Sequence, residues 1–346
     1  MGYFSPFARL LARHDPREQW RQIATNTFLP GIVIALFIGF WTLCSSKVHT
    51  DSQRIPNPSE TWTAWQGMRE FARNEKVKEK EFKESMERMA AKWDEKAKES
   101  SVAGKTEAAA KFEERAESFR NKRYAGPPTF GTQITTSLIT VGIGIGMATL
   151  IAVPLGFLCG LSTRFNLALT PLIQVLKPVS PLAWLPIVFV FVTALYKPGA
   201  DETLFSRAML ISAGTVTLCS LWPTLINTAV GVAGVDRDYL NVAKVLKLNA
   251  FQRIWKIVLP AALPLIFTGL RLSIGVGWMV LIAADMLAQN PGLGKFVWDT
   301  FQNGSTESMA QIVVAVIVIG IIGFILDRMM LVLQRLVSFD NQQSNV

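Results

Sequence analysis

The chain has 346 residues, of which 50% are hydrophobic and only 18% are charged, and its formal net charge is +9. Soluble domains carry about a quarter charged residues, so this composition argues against a soluble protein and favours one that crosses a membrane several times. The excess of Lys and Arg does not favour a nucleic-acid-binding protein, because basic cytoplasmic loops are expected of membrane proteins. Three cysteines without a CxxC pair and two isolated histidines predict neither a metal site nor a disulfide.

The N-terminal residues 1–27 form an arginine-rich arm rather than a cleavable signal peptide, since the first apolar run begins only after them. That run predicts the first transmembrane helix, over residues 28–45. A polar segment, 46–130, follows, and its central part, 69–123, holds 16 Lys or Arg and 13 Asp or Glu residues. Apolar residues recur there at helical spacing on both sides of a break at 100–104, which predicts a hairpin of two charged amphipathic helices. A solvated insertion that packs on itself explains the pattern, and a partner-binding arm is the alternative.

Residues 131–337 contain five further apolar runs, which predict five more membrane-spanning helices. The run that begins near Leu167 contains four prolines, at positions 171, 178, 181 and 186. Four prolines cannot lie in one straight helix, and a broken helix at membrane depth survives only when it is buried in protein or lines a cavity. Lys177 lies inside this broken run, where it is either a functional charge or a side chain that reaches the interface.

Six spans place both termini on the same side of the membrane. The short basic segments that decide the side are the N-terminal arm, the loop with Arg164, the segment 236–256 and the end of the last run. All of them fall on one face, which the positive-inside rule assigns to the cytoplasm, together with the tail 338–346. The charged insertion then lies outside, because long loops translocate largely regardless of their charge.

One basic stretch, Asn241–Pro264 (NVAKVLKLNAFQRIWKIVLPAALP), lies between the fourth and fifth apolar runs. Its periodicity predicts two short helices with Asn249 at their junction, followed by prolines that suit the first turn of the next span. Two interpretations stand for this stretch taken alone. It is a helix–turn–helix with a dedicated role on the cytoplasmic face, or an interfacial amphipathic helix anchored by Lys and Arg.

The segment 236–260 resembles the EAA loop of ABC importer permeases, in which E-A-A is followed by Gly and then by Leu-Pro. The residues Asn241–Ala243 take the place of E-A-A, Lys247 that of Gly, and Leu259–Pro260 that of Leu-Pro. The match has three departures, since the Glu is Asn, the first Ala is Val and the Gly is Lys. Because Lys replaces Gly, we expect the turn to be made at Asn249, which tolerates a left-handed backbone.

Longer stretches extend the resemblance to about residues 130–337. They are LKPVSPLAWLPI (Leu176–Ile187), LWPTLINTAVGV (Leu221–Val232), DYLNVAKVLKL (Asp238–Leu248), LPAALPLIFTGLRLSIG (Leu259–Gly275) and AADML (Ala283–Leu287). Together they are similar to the nitrate/bicarbonate branch of ABC importer permeases, which neighbours the sulfonate/taurine permeases. The charged insertion departs from the compact form of that family.

The resemblance implies an all-α membrane protein with six transmembrane helices of the type I ABC importer permease fold and an extra charged helical hairpin. It implies a homodimeric pathway in a bacterial inner membrane, two ATPase subunits that bind ATP and Mg, and a substrate-binding protein outside. The chain itself would bind no cofactor and would not be an enzyme. The segment 236–260 would be the coupling helix. The residues expected to contact or position the ATPase are Asn241, Ala243, Lys247, Leu248, Asn249, Phe251, Arg253, Leu259 and Pro260.

An anion needs positive potential along its path. Lys177 is the first candidate for this role and Arg271 the second, with pairing to a carbonyl or a position near the cytoplasmic face as the alternatives for Arg271. Trp184 and Trp278 are candidates for lining the path, with core or interfacial packing as the alternative. The resemblance favours nitrate or nitrite as the substrate, with bicarbonate, cyanate and sulfonates as the next candidates. In this family the binding protein usually sets selectivity, so the permease sequence carries little information about the substrate.

Two other classes of protein compete with a transporter. A membrane enzyme needs a nucleophile, a metal cluster or an acid–base pair, and the predicted spans contain no His and almost no carboxylates. A membrane scaffold or receptor that uses the charged hairpin leaves the basic segment and the proline-broken span unexplained.

Overall fold

The structure is a computed structural model that describes residues 28–48, 54–196 and 206–337. The predicted arm (1–27) and tail (338–346) lie outside the described residues. Within the described ranges the chain is built from α-helices and one π-helical turn. This architecture confirms the all-α class expected from the sequence.

The helices follow one another along the chain, and the π-helical turn (Ile254–Val258) lies between α9 and α10. In chain order they are α1 (Leu29–Lys47), α2 (Pro58–Val102), α3 (Thr106–Arg120), α4 (Phe130–Leu161), α5 (Thr163–Leu176), α6 (Pro181–Leu195), α7 (Arg207–Ala233), α8 (Arg237–Val245), α9 (Ala250–Arg253), α10 (Leu259–Ala288), α11 (Leu293–Gln302) and α12 (Thr306–Val337). The described part of the chain divides into two compact units, one from residues up to 67 with 300–314 and the other from residues 68–299 with those from 315 to 337.

Five helical segments of the described chain are long and apolar enough to cross a membrane, and the bent pair α5–α6 makes a sixth if it counts as one span. The chain changes direction by 105° between the two helices of this pair. Pro171 and Pro186 lie inside the helices, whereas Pro178 and Pro181 lie at the break. Proline at a helix start is tolerated because its missing N–H has no helical acceptor there. The proline-rich run is therefore broken, as its sequence predicts.

In the first unit, the indole N–H of Trp41 on α1 donates to the carbonyl oxygen of Pro56, at 3.0 Å. A capping box then starts α2. The backbone N–H of Glu60 donates to the Asn57 side chain at 2.8 Å, and the backbone N–H of Asn57 donates to the Glu60 carboxylate at 3.0 Å. This cap starts the long charged helix at Pro58, earlier than the predicted start at residue 69.

The charged insertion consists of α2 and α3, which are joined at residues 103–105. The rings of Trp93 on α2 and Phe112 on α3 lie 5.6 Å apart. Lys96 and Arg115 each place a positive charge over the Trp93 ring, at 4.7 and 5.0 Å from its centroid. The Trp93–Phe112 and Arg115–Trp93 contacts join the two helices, whereas the Lys96–Trp93 contact lies within α2.

A polar cluster lies nearer the base of the insertion. The buried Glu75 carboxylate accepts hydrogen bonds from the Lys78 ammonium at 2.7 Å and from the Tyr124 hydroxyl at 2.9 Å. The bond from Lys78, followed by that from Tyr124, holds the pKa of Glu75 below its ordinary value. The same bonds raise the pKa of Lys78 and the pKa of Tyr124.

The core of the second unit is formed by α4, α7 and α10. Gly156 and Gly160 of α4 lie so close to α7 that an added Cβ would fall 2.6 Å from the Cβ of Thr228 and 2.5 Å from the Cβ of Val232. Gly142 and Gly146 have the same spacing in sequence but open space around them. One of the two GxxxG spacings therefore brings helices together, as small residues do in membranes.

Candidate coupling segment and translocation elements

The segment between α7 and α10 begins with α8, whose N-cap residue Asp236 accepts a hydrogen bond from the backbone N–H of Asp238 at 3.0 Å. The helix ends in a Schellman motif. The backbone N–H of Leu248 donates to the Ala243 carbonyl and that of Lys247 donates to the Lys244 carbonyl, both at 3.0 Å.

Lys247 occupies the left-handed position of this motif, with φ of +49°. The expectation that Asn249 makes the turn was wrong. The reason is the Schellman geometry, which requires a left-handed residue immediately after the helix cap, at position 247. The residue that stands in the place of the family's Gly thus adopts the backbone conformation that Gly usually supplies.

Asn249 has a different structural role, as the N-cap of α9. Its side chain accepts a hydrogen bond from the backbone N–H of Gln252 at 2.8 Å, and the Gln252 side chain accepts one from the backbone N–H of Asn249 at 3.2 Å. This capping box is complete. It fixes the direction in which the chain leaves the bend.

The sequence led us to expect that the second short helix ends before the fifth span. The structure shows that it does not end there. It continues through the π-helical turn (Ile254–Val258) into α10, so that residues 250–288 form one helical segment. Pro260 cannot donate a helical hydrogen bond, and its ring crowds the preceding turn. A π-type turn next to a proline is a common way to absorb this mismatch without breaking the helix.

Small and aliphatic side chains anchor the coupling segment to the bundle. Ala243 is buried, and Leu240 packs beside a cluster of buried residues that includes Val258 and Ala262. Leu259 packs against the same cluster. One face of α8 is apolar but exposed rather than packed against the bundle. Its members are Tyr239, Val242, Val245 and Leu246.

A second exposed apolar group lies on α9 and the π-helical turn. Phe251 is 69% exposed, and its ring lies 5.9 Å from that of Trp255, which is also exposed. Leu248 is half-buried at the bend between the two groups, and Asn241 is exposed on α8. Exposed aromatic and aliphatic side chains of this kind make the segment a candidate binding surface.

Basic side chains surround these apolar residues. Lys244, Lys247 and Lys256 are exposed and Arg253 is half-buried. Among the residues that the structure describes, none of these four takes part in an ion pair. The segment therefore presents uncompensated positive charge around an apolar centre.

Two of the predicted pathway residues lie at the bend between α5 and α6. Lys177 is exposed at the C-terminal cap of α5, directly at the break. Trp184 is half-buried in the first turn of α6, and its indole N–H has no hydrogen-bond partner within the described chain. The bend thus brings an ammonium group and an unused N–H donor to the start of one helix, where backbone N–H groups also favour anions.

The other two predicted pathway residues take part in contacts between α10 and α12. Three polar contacts join these helices: the Gln334–Thr268 hydrogen bond of 2.9 Å, the Arg271–Asp327 ion pair of 2.6 Å and the Trp278–Ile319 hydrogen bond of 3.0 Å. Arg271 binds the carboxylate through two nitrogen atoms, the second at 3.0 Å. Trp278 is buried with its donor satisfied, which matches the core alternative for this residue.

Asp285, near the C-terminal end of α10, is fully buried. Its carboxylate accepts hydrogen bonds from the Ser137 hydroxyl at 2.8 Å and from the Asn290 side-chain amide at 2.7 Å. The Ser137 oxygen also accepts from the backbone N–H of Leu293 at 2.9 Å. Gly292 lies against this site so closely that a Cβ there would be 2.1 Å from the Asp285 carboxylate. These partners were missed from the sequence, where the Gly/Pro-rich loop after α10 was the available signal.

No group of three or more His, Cys, Asp or Glu side chains in the described part of the chain could hold a metal ion.

Residues 152–338 match the family model described as "Binding-protein-dependent transport system inner membrane component". This match covers more than half of the 346 residues. The chain belongs to this family. It is a membrane permease of the ABC importer type and not an enzyme, since ATP hydrolysis in these systems belongs to partner subunits.

Individual relatives agree with this assignment. The nitrate import permease protein NrtB of Leptolyngbya laminosa is 39% identical over 197 residues, which are 57% of this permease and 65% of that protein. The bicarbonate transport system permease protein CmpB of Synechococcus elongatus is 39% identical over 204 residues, 59% of this permease and 68% of that protein. The permease thus spans slightly less than two thirds of the first relative and slightly more than two thirds of the second.

A solved structure of the MetNI methionine ABC transporter in inward-facing conformations has the same fold. Its match has a TM-score of 0.50 at 11% sequence identity and covers 60% of this permease and 96% of that chain. At this identity the likeness speaks for the fold alone. It confirms the type I importer permease architecture that the resemblance implied.

Proposed function

We propose that two copies of this chain form the pathway of an ATP-driven importer for a small anion, with nitrate or nitrite as the first candidate substrate. Bicarbonate is the second candidate, and cyanate and sulfonates follow. Both named relatives handle small inorganic anions, which supports this order. Two ATPase subunits and an extracytoplasmic binding protein complete the assembly, and the family description itself names dependence on a binding protein.

The observation that carries the proposal is the exposed segment from α8 to the π-helical turn. It offers apolar side chains in the centre and unpaired basic side chains around them, outside the apolar bundle. Exposed ion pairs contribute only about 0.2–1 kcal/mol each, so Phe251 and Leu248 are expected to supply most of the binding energy. The bases then orient the segment in an acid-rimmed groove of the ATPase.

The continuous helical segment 250–288 supports a mechanical role. At 1.5 Å per residue it is about 58 Å long, enough to cross the membrane and extend beyond it. A displacement of Phe251 by the ATPase is carried along this helix, since no loop interrupts it. The α10–α12 contacts, with the Arg271–Asp327 ion pair among them, make the last helix follow. Such a rocking of helices around a midplane path is the movement that alternating access requires.

For the pathway itself we propose that Lys177 and the start of α6 attract the anion. Their position at a 105° break supports this role, because irregular backbone at membrane depth belongs where protein or a water-filled cavity surrounds it. Replacing Lys177 with Gln should lower anion uptake in proteoliposomes several-fold while ATPase binding is unchanged. Uptake equal to that of the parent protein would assign Lys177 to the interface instead.

We further propose that both termini and the coupling segment face the cytoplasm and that the insertion formed by α2 and α3 lies outside. The distribution of short basic segments supports this orientation. Protease added to inverted membrane vesicles should leave the insertion intact. Cleavage of residues 69–123 only from the cytoplasmic side would reverse the assignment.

The docking proposal is tested with Phe251→Asp, which puts a charge into the centre of the exposed surface. Association with the ATPase, measured by co-purification, should be lost, while the permease keeps its gel-filtration profile. Phe251→Leu is the matched control, because it keeps an apolar side chain and should retain association. Unchanged co-purification of the Asp variant would refute the coupling role. The substrate is tested by stimulation of ATPase activity with a binding protein loaded with nitrate, bicarbonate or a sulfonate.

A further inference from the structure

Lys247 and Gln289 are the two non-glycine residues with positive φ among those that the structure describes, at +49° and +56°. Each ends a helix in the same way. Left-handed backbone is sterically unfavourable for a residue with a Cβ, whereas Gly adopts it freely. A side chain kept at such a position is therefore worth examining for what it does.

Gln289 has contacts within the chain. Its side-chain amide donates to the Met286 carbonyl at 2.7 Å, and its oxygen accepts from the Lys295 ammonium at 2.9 Å. The side chain thereby fastens the loop after α10 to the helix that follows. These contacts account for a Gln where Gly would fit the backbone better.

Lys247 has no such contact. Its side chain is exposed and makes no hydrogen bond or ion pair with the rest of the described chain. Its backbone bond to Lys244 is one that any residue with an N–H would make. The ammonium lies at the tip of the bend, next to the exposed Leu246 and Val245, the second of which is 81% exposed.

We propose that Lys247 is a specificity-determining contact for the ATPase subunit, whose docking groove carries a carboxylate opposite the bend. The inference rests on the proposed coupling role of the segment. Lys247 lies at the bend itself, whereas Lys244 lies on α8 and Lys256 on the π-helical turn, so the three ammonium groups are carried by different parts of the segment. An ATPase without an acid at that place would bind this permease less tightly.

The test uses the full-length permease in nanodiscs and its purified ATPase. Lys247→Gly removes the side chain but relieves the backbone, so it should fold at least as well as the parent while its affinity falls about two- to fivefold at low salt. Because the lost contact is an ion pair, the parent's affinity should fall more steeply than the variant's between about 50 and 300 mM NaCl. Lys247→Arg keeps the charge and should stay within about twofold of the parent. Lys98→Gln, on α2, is the control for an exposed lysine elsewhere and should change nothing.

Three results would overturn the proposal. The first is an unchanged affinity and salt slope for Lys247→Gly. The second is a loss that occurs only in nanodiscs with about 30% phosphatidylglycerol and vanishes in phosphatidylcholine, because the ammonium would then act on lipid headgroups. The third is an unchanged affinity for Phe251→Asp in the same assay, which would remove the coupling role itself rather than the part played by Lys247.

Discussion

The two ends of the long helical segment 250–288 are built differently. At the C-terminal end, which is the outer one in the orientation proposed above, the left-handed Gln289 leads directly into Asn290, which is buried and bonded to the buried Asp285. At the inner end, the left-handed Lys247 leads into a segment whose largest side chains are exposed. A left-handed residue thus lies beside each end, but the chain covers the outer end and leaves the inner end exposed. The difference teaches that the outer end is complete within a single chain, whereas the exposed inner end is where the proposed coupling role places a partner.

The largest effect on stability is expected from removing the buried Asp285 carboxylate at the outer end. Asp285→Ala removes the acceptor shared by Ser137 and Asn290, so the buried Ser137 hydroxyl loses its acceptor and the buried Asn290 amide keeps only its bond to Thr140. Each unsatisfied group costs about 1–3 kcal/mol, so the variant should lose roughly 3 kcal/mol or more of stability. Thermal unfolding in detergent should show this as a markedly lower midpoint. Asp299→Ala, which removes only an exposed i,i+4 pair with Lys295, should stay within about 0.5 kcal/mol of the parent.

The next largest effect on stability is expected where α4 packs against α7. Gly160→Leu forces a side chain into α7, where a Cβ alone would be 2.5 Å from Val232, and should cost about 1–3 kcal/mol. Gly146→Leu lies on the same helix in open space and should be tolerated. Equal thermal midpoints for the two variants would mean that the close approach of α4 and α7 is not the one described.

A smaller effect on stability is expected when each of the two left-handed residues is replaced by Gly. Lys247→Gly relieves backbone strain without losing a contact and should raise stability by about 0.5 kcal/mol, after the entropy that Gly adds to the unfolded chain is subtracted. Gln289→Gly relieves the same strain but loses two hydrogen bonds, and should lower stability by about 0.5–1 kcal/mol. Midpoints that shift in the same direction for both variants would contradict the contrast between the ends.

The pH dependence of the insertion gives the smallest effect. The folded pKa of Glu75 is depressed, so its contribution is present above its unfolded pKa of about 4.3 and is lost as pH falls through the folded pKa. The folded pKa of Lys78 is raised, so its contribution is present below about 10.4 and is lost as pH rises through the folded value. Hydrogen exchange of residues 58–120, corrected for intrinsic rates, should therefore speed up below about pH 4. In Glu75→Gln this acid-induced change should be smaller, and an identical change would refute the assignment.

The number and order of the apolar helices could be predicted because each is a long apolar run, and the break at Lys177 because prolines cluster there. The cap at Lys247 could not, since no Gly marks the place where α8 ends and the motif depends on where that end falls. The Asp285 site could not either, because its partners come from 148 residues earlier and from the loop that follows. The periodicity of α8 identified its apolar face correctly. It did not reveal whether that face is covered by this chain or left for a partner.

The central claim is that the inner end docks on the ATPase and the outer end does not. Photo-crosslinking in the assembled transporter tests it directly, with a photoreactive residue placed at Phe251 in one variant and at Asp299 in another. We predict that position 251 captures the ATPase and that position 299 never does. Capture of the ATPase from position 299, or its absence from position 251, would contradict the account.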